Sequence, residues 1–228
     1  MATTQLRDAG IGAGDEVVVP AYGGGEVAEA VRAVGGRPVI ADIDPRSFCL
    51  DPAAAAAAVT DRTAALAPVH LFGHTADTVR LGELAERFGV RTVEFGAPAV
   101  GQTLETARRR RYAAYLGSRL TGVIVPSVAE GAAHTYSEYV VRVPGNGRPD
   151  RDAFKHALRA KGVRCWVPVK IPVHWMPDFR AGVRLPEAER AADECLALPI
   201  DASMTQRELQ RMASACNALG GLLLEPAC

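Results

Sequence analysis

Short apolar runs, each stopped by glycine or proline and followed by a stretch of helical length, fill the first hundred residues and leave the chain few folds to choose from. Val17-Val18-Val19 before Pro20 has the length and β-branching of a buried strand. Gly23-Gly24-Gly25 then leads into a helical segment, Glu26 to Val34, stopped by Gly35-Gly36. Pro38 to Ile43 is a second strand. Asp51-Pro52 opens an alanine-rich helix through Val59, with aspartate as N-cap and proline at the first helical position. Ala64 to Val69 is strand-like, Asp77 to Phe88 is a helix ending at Gly89, and Arg91 to Glu94 is strand-like again. Strands that alternate with helices at this spacing form βαβ units, and those need a parallel sheet.

The pattern changes after residue 100. Leu104 to Leu120 reads as one long helix, and Tyr136 to Val143 alternates like an antiparallel strand before the turn Pro144-Gly145-Asn146-Gly147. Asp150 to Lys161 is a helix with Asp150 as cap and Gly162 as stop. Val163 to Val173 is extended and punctuated by proline. Two further helices are expected, one over 186–196 and one opened by the capping box Thr205…Glu208 and running to Leu219. The expected organisation is an α/β region over 1–103, then a long helix and a small α+β domain over 104–228.

Composition narrows the function classes. With 26 basic and 26 acidic residues and a pI of about 7.0, no basic field invites nucleic acid or an anionic membrane. No apolar stretch reaches spanning length, and the first residues lack the layout of a signal peptide. The five cysteines are scattered, which fits reduced thiols and a cytoplasmic setting more than a disulfide frame. No His/Cys/Asp/Glu group has metal-ligand spacing, so no metal is expected.

Three stretches resemble the fold-type I sugar aminotransferases of the DegT/StrS type. They are GAGDEVVVPAY (12–22), then RPVIADIDPRSFCLDP with VTDRTAALAPVHLFGHTAD (37–77), and finally HTYSEYVVRV (134–143) with KIPVH (170–174) and PEAERAADECLALPI (186–200). The resemblance runs over nearly the whole chain in the family's order. It implies a partial fold-type I parallel sheet with a small α+β C-terminal domain, a sugar-like small-molecule substrate, and a homodimer or a heterodimer with an aminotransferase-like partner.

The same comparison implies that the family's cofactor, pyridoxal phosphate, has lost its holders. The loop expected to bind the phosphate would lie before Gly12. Gly24 matches the family's ring-stacking aromatic. Phe95, in EFGAPAVG (94–101), stands where the family's aspartate meets the pyridine nitrogen. The central stretch with the Schiff-base lysine is missing between Gly101 and Leu104, and Lys155, Lys161 and Lys170 lie elsewhere. A neutral phenylalanine cannot keep the pyridine nitrogen protonated, and without the lysine there is no internal aldimine. No cofactor is therefore expected.

Open α/β sheets bind ligands beyond the C-terminal ends of their strands. That rule gathers Tyr22, Asp42, Asp44, His70 and Glu94, with His74 nearby where the family has glutamine. His70 and Glu94 form a candidate acid–base pair, with Tyr22 and His74 beside them; Asp42, Trp166, Lys170 and His174 are candidate substrate contacts. The competing reading is that His70, Asp44 and Glu94 support the fold and that His74 and Lys170 are solvated surface groups. Two functions follow. One is a cofactor-free enzyme performing a cyclisation, dehydration or condensation on a small polar molecule, which the polar substitutions His74 and Lys170 favour. The other is a catalytically silent accessory subunit of a complete aminotransferase.

Overall fold

A computed structural model of the chain describes residues 1–97, 103–129, 132–144, 150–180 and 182–223. The chain divides into two compact units, 1–99 with 171–192 and 100–170 with 193–228. The segment 171–192 belongs to the first unit.

In the first unit, helix α1 (Ala2–Asp8) precedes strand β1 (Glu16–Pro20), helix α2 (Gly25–Ala33), strand β2 (Arg37–Ala41), helix α3 (Pro52–Ala58), strand β3 (Thr63–Leu66), helix α4 (Thr78–Phe88) and strand β4 (Arg91–Thr92). The four strands form one parallel sheet in the order β2-β1-β3-β4. Strand β1 is buried along its whole length, as a central strand covered on both faces must be. Val17 and Val19 point into one apolar cluster with Leu6, Val27 and Val31, and Val18 into the opposite one with Leu50, Leu66 and Leu81. Each such side chain contributes about 1.5–3 kcal/mol by leaving water. The expected caps are in place: Asp51 accepts from the Ala54 N–H and Asp77 from the Arg80 N–H, and Gly89 ends α4 in the left-handed region. Helix α1 carried no sequence signal, and Leu6 holds it to the core.

One charge is buried at the N-terminal end of this sheet. Glu16 is 1 % exposed and accepts from Thr60 Oγ1 at 2.6 Å, from Arg62 Nε at 2.8 Å and from Arg37. Those bonds hold its carboxyl below the ordinary glutamate range against the opposing effect of burial. The returning segment holds two 3-10 turns, Val173–Trp175 and Pro177–Phe179, and helix α7 (Pro186–Glu194).

The second unit contains helix α5 (Leu104–Gly117), strand β5 (Tyr139–Arg142), helix α6 (Asp150–Ala160), strand β6 (Cys195–Leu198) and helix α8 (Gln206–Leu223). Strands β5 and β6 pair antiparallel, Tyr139 opposite Leu198 and Arg142 opposite Cys195. Single bridges extend the sheet on both sides, Ile124 to Arg142 and Trp166 to Ala197. Leu116, Tyr139, Val141, Leu158, Leu196, Leu198 and Met212 make its core.

Several sequence expectations change here. Residues 195 and 196, read as the end of a helix, begin strand β6, because pairing with β5 overrides the weak strand propensity of Cys-Leu-Ala-Leu. Strand β5 starts at Tyr139, since Tyr136 takes a positive φ of 50° and stacks on His134 with ring centroids 3.9 Å apart. Helix α5 ends at Gly117, and Asp150 is the first residue of α6, not its cap. The Thr205–Glu208 capping box forms as expected. Gly101 and the turn residues Gly145 to Gly147 lie outside the described residues.

Candidate functional site

Beyond their regular ends, β3 and β4 continue to pair. The Val93 N–H donates to the Leu66 carbonyl, the Phe95 N–H to Pro68 and the His70 N–H to Phe95. This run places His70 and Glu94 side by side, with His70 Nε2 3.0 Å from Glu94 Oε2. The chain then turns at Gly96, whose φ is +80°. A Cβ there would stand 2.6 Å from the His70 carbonyl oxygen, so only glycine fits.

The histidine's tautomer follows from its neighbours. The Ala76 N–H donates to His70 Nδ1 at 3.0 Å, so Nδ1 carries no proton and Nε2–H donates to Glu94. The ring is fully buried, while the Glu94 side chain is 47 % exposed. With both ring nitrogens engaged by the protein, His70 locks the loop 70–76 to β4 and points the Glu94 carboxylate outward.

The other expected site residues are drawn into the fold in similar ways. Tyr22 is fully buried, its ring 6.0 Å from Phe48 and 6.1 Å from Phe72. Both phenylalanines sit at positive φ, 60° and 58°, a backbone strain that clusters at functional sites and that sequence gave no sign of. His74, a candidate site residue whose competing reading was a solvated loop histidine, is buried against Phe48, and burial pushes its pKa down to about 4 although Asp44 opposes the shift.

Asp42, expected as a substrate contact, caps a helix 145 residues away. Its Oδ1 accepts from the Ala188 N–H at 2.8 Å and its Oδ2 from the Glu187 N–H at 3.1 Å, both in the first turn of α7. His174 is buried with its Nε2 3.3 Å from Glu189 Oε1, a partner that sequence reading missed. The loop that carries it docks through the Val173 N–H on the Ala21 carbonyl at the end of β1. Lys170 and Trp166, both exposed, belong to the second unit.

The donors present do not fit pyridoxal phosphate. Phe95 is buried in the apolar cluster of the first unit, where the resemblance places a carboxylate. A Cβ at Gly24 would overlap the Pro20 carbonyl oxygen, so no ring-stacking side chain can stand there on this backbone. The three lysines all belong to the second unit, and Lys155 is bound to Asp152 at 2.5 Å. Among the described residues, no three His, Cys, Asp or Glu side chains group to hold a metal ion, and no helix is long and apolar enough to cross a membrane.

Comparison with known proteins agrees with this architecture. The profile of the DegT/DnrJ/EryC1/StrS aminotransferase family matches residues 2–108 and 103–217. A pleiotropic regulatory protein of Geobacillus stearothermophilus is 26% identical over 296 residues, covering 90% of this chain and 78% of that protein. That match is longer than the 228-residue chain, so a stretch of the relative has no counterpart here. GDP-perosamine synthase of Caulobacter vibrioides is 34% identical over 196 residues, 82% of this chain and 49% of the enzyme. Among solved structures, DesV of S. venezuelae, in complex with a ketimine intermediate, superposes with a TM-score of 0.86 at 24% identity, covering 96% of this chain and 82% of that one. The aminotransferase TlmJ of Streptoalloteichus hindustanus gives 0.87 at 22% identity, covering 97% and 83%. This chain belongs to the DegT/DnrJ/EryC1/StrS aminotransferase family.

Proposed function

We propose that this chain is a non-transaminating member of its family that serves as an accessory subunit to a complete aminotransferase. The observation that carries the reading is Phe95: buried, bonded through its backbone to Pro68 and His70, and standing where an active relative needs a carboxylate. Pyridoxal phosphate, when bound, acts as an electron sink only if its pyridine nitrogen stays protonated. A buried apolar side chain at that position removes that condition. The neighbouring polar groups support the same reading. His70 and Asp42 spend their hydrogen bonds on the fold, and His74 is held neutral at physiological pH. A relative described as a pleiotropic regulatory protein gives a precedent for a family member not named as an enzyme.

Two measurements test the proposal. Purified protein incubated with pyridoxal phosphate and reduced with borohydride should show no lysine adduct above that of an unrelated control; a stoichiometric adduct on one lysine would overturn it. Sedimentation of the chain mixed with a complete family aminotransferase from the same genome should show a mixed dimer and an altered transamination rate. If the two proteins sediment separately and the rate is unchanged, the accessory role fails.

The half-exposed Glu94 favours a second reading, a cofactor-free enzyme acting on a small polar, sugar-like molecule. Glu94 would be its base and His70 the positioning group. That reading requires Glu94→Gln to abolish turnover without lowering the thermal midpoint.

A further inference from the structure

Strand β2 is an edge of the parallel sheet, and part of its outer side is open. The Arg37 N–H donates to the Asp15 carbonyl and the Ala41 carbonyl accepts from the Ala21 N–H, so residues 37, 39 and 41 turn their backbone groups toward β1. Pro38 and Ile40 turn theirs the other way. The Pro38 carbonyl and the Ile40 N–H and carbonyl have no partner among the described residues. Pro38 has no N–H to offer, and proline with charge on an edge is what keeps sheets from pairing indiscriminately. What remains is a short template of one donor and two acceptors.

A cleft of about 450 Å3 borders this edge, between residues 36–40 and the segment 178–183, and its lining belongs wholly to the first unit. Phe179 and the half-exposed Val183 give it an apolar wall. Three arginines and one aspartate give it charge. Arg32 stands 5.2 Å over the Phe179 ring and pairs with Asp178 at 3.2 Å and Glu29 at 3.5 Å. Arg37 pairs with the buried Glu16, whose single charge Arg62 also shares. Arg180 is exposed and makes no ion pair among the described residues. The cleft therefore keeps a positive surplus, carried by Arg180 and by Arg37.

We infer that β2 takes up an extended segment of another protein, in which acidic and apolar residues alternate, as a fifth strand of the sheet. Side chains of an added strand alternate between the two sheet faces. Ile40 lies on the face of Val17, Val19 and Phe179, so the apolar side chains belong there. Val39 lies on the other face with Val18 and Leu66, and Arg37 shares that face, so the acidic side chains belong there. Arg180, in the same cleft, attracts the same charge. Main-chain bonds to Pro38 and Ile40 supply affinity in such pairing, and the flanking side chains select the partner. A second copy of this edge would set arginine against arginine, and a basic segment would meet the same repulsion. The surface includes none of the residues at the strand ends, so it stands whether the first unit is silent or catalytic.

The test uses the full chain and three short labelled peptides, titrated by fluorescence anisotropy. One alternates glutamate with valine, the second alternates lysine with valine, and the third is the glutamate peptide with every backbone nitrogen methylated. The glutamate peptide should bind saturably with a Kd on the order of 100 μM, and the other two roughly tenfold or more weakly. Arg180→Glu, a change at an exposed residue outside the core, should weaken the glutamate peptide roughly tenfold. In the unaltered chain, saturation with that peptide should slow hydrogen exchange at the Ile40 amide several-fold. Absence of saturable binding, equal affinity for the lysine or the methylated peptide, an unchanged affinity in Arg180→Glu, or unchanged exchange at Ile40 would each overturn the inference.

Discussion

Replacing Asp42 separates its capping role from a role in binding. Its carboxylate makes three backbone bonds: Oδ1 accepts from Ile43 at 3.0 Å and Ala188 at 2.8 Å, and Oδ2 from Glu187 at 3.1 Å. Asp42→Ala removes all three and leaves the Glu187 and Ala188 N–H groups of α7 without acceptors. Loss of an N-cap costs about 0.5–2 kcal/mol, and bonds to a charged group stand at the upper end of that scale, so a loss of about 2–3 kcal/mol is expected. Asp42→Asn keeps one oxygen for Ala188 but sets an amide N–H2 against the Glu187 N–H, so roughly half the loss should remain. For a chain of this size, the alanine variant's midpoint should fall by roughly 4–12 °C. The protein has two tryptophans, Trp166 in the second unit and Trp175 in the first. In a Trp166→Phe background, urea unfolding followed by emission therefore reports the first unit alone. An Asp42→Ala midpoint within about 0.5 kcal/mol of the parent, no more than an ordinary surface change, would refute the capping assignment and return Asp42 to the list of substrate contacts.

Three further outcomes follow from the same unit. His74, at about 4 in the fold against about 6.5 unfolded, takes up its proton more readily when unfolded; the first unit should lose up to roughly 3 kcal/mol as pH falls from 6.5 through 4, and His74→Gln should flatten that slope in pH-dependent urea midpoints. Glu16, with its carboxyl depressed, contributes stability above its unfolded pKa that is lost as pH falls through the lower folded value. Glu16→Gln should cost about 1–3 kcal/mol at pH 7 and much less at pH 3, read by the same titration. Gly24→Ala should destabilise by roughly 2–4 kcal/mol because its Cβ meets the Pro20 carbonyl, a rigid backbone atom; a thermal midpoint equal to the parent's would show that α2 shifts freely at its start.

The parallel-sheet unit was legible because its signals are local. Glycine and proline stops, β-branched runs and the Asp51 and Asp77 caps each act within a few residues of their place in the sequence. Strand β6 was not legible, since Cys195–Leu198 becomes a strand only through its partner β5, more than fifty residues away. Asp42 misled for a related reason. Its position after β2 is correct for a ligand contact, but the N–H groups it satisfies arrive from residues 187 and 188, and no local pattern announces that return.

The strand ends hold the polar residues that sequence reasoning gathered, and their partners are what decide their use. A histidine poised as a base must keep one nitrogen free for the reacting proton. His70 has none: Ala76 fills Nδ1, and the proton on Nε2 is given to Glu94. Asp42 and Glu16 are equally committed, one to a helix terminus and one to two arginines and a threonine. Glu94 differs, since its anchored carboxylate still reaches solvent. Phe95, next to Glu94 on the same run, is packed in the apolar cluster of the first unit. Among these strand-end carboxylates, Glu94 is the one whose position is fixed by a buried histidine while half of its surface stays open to a ligand.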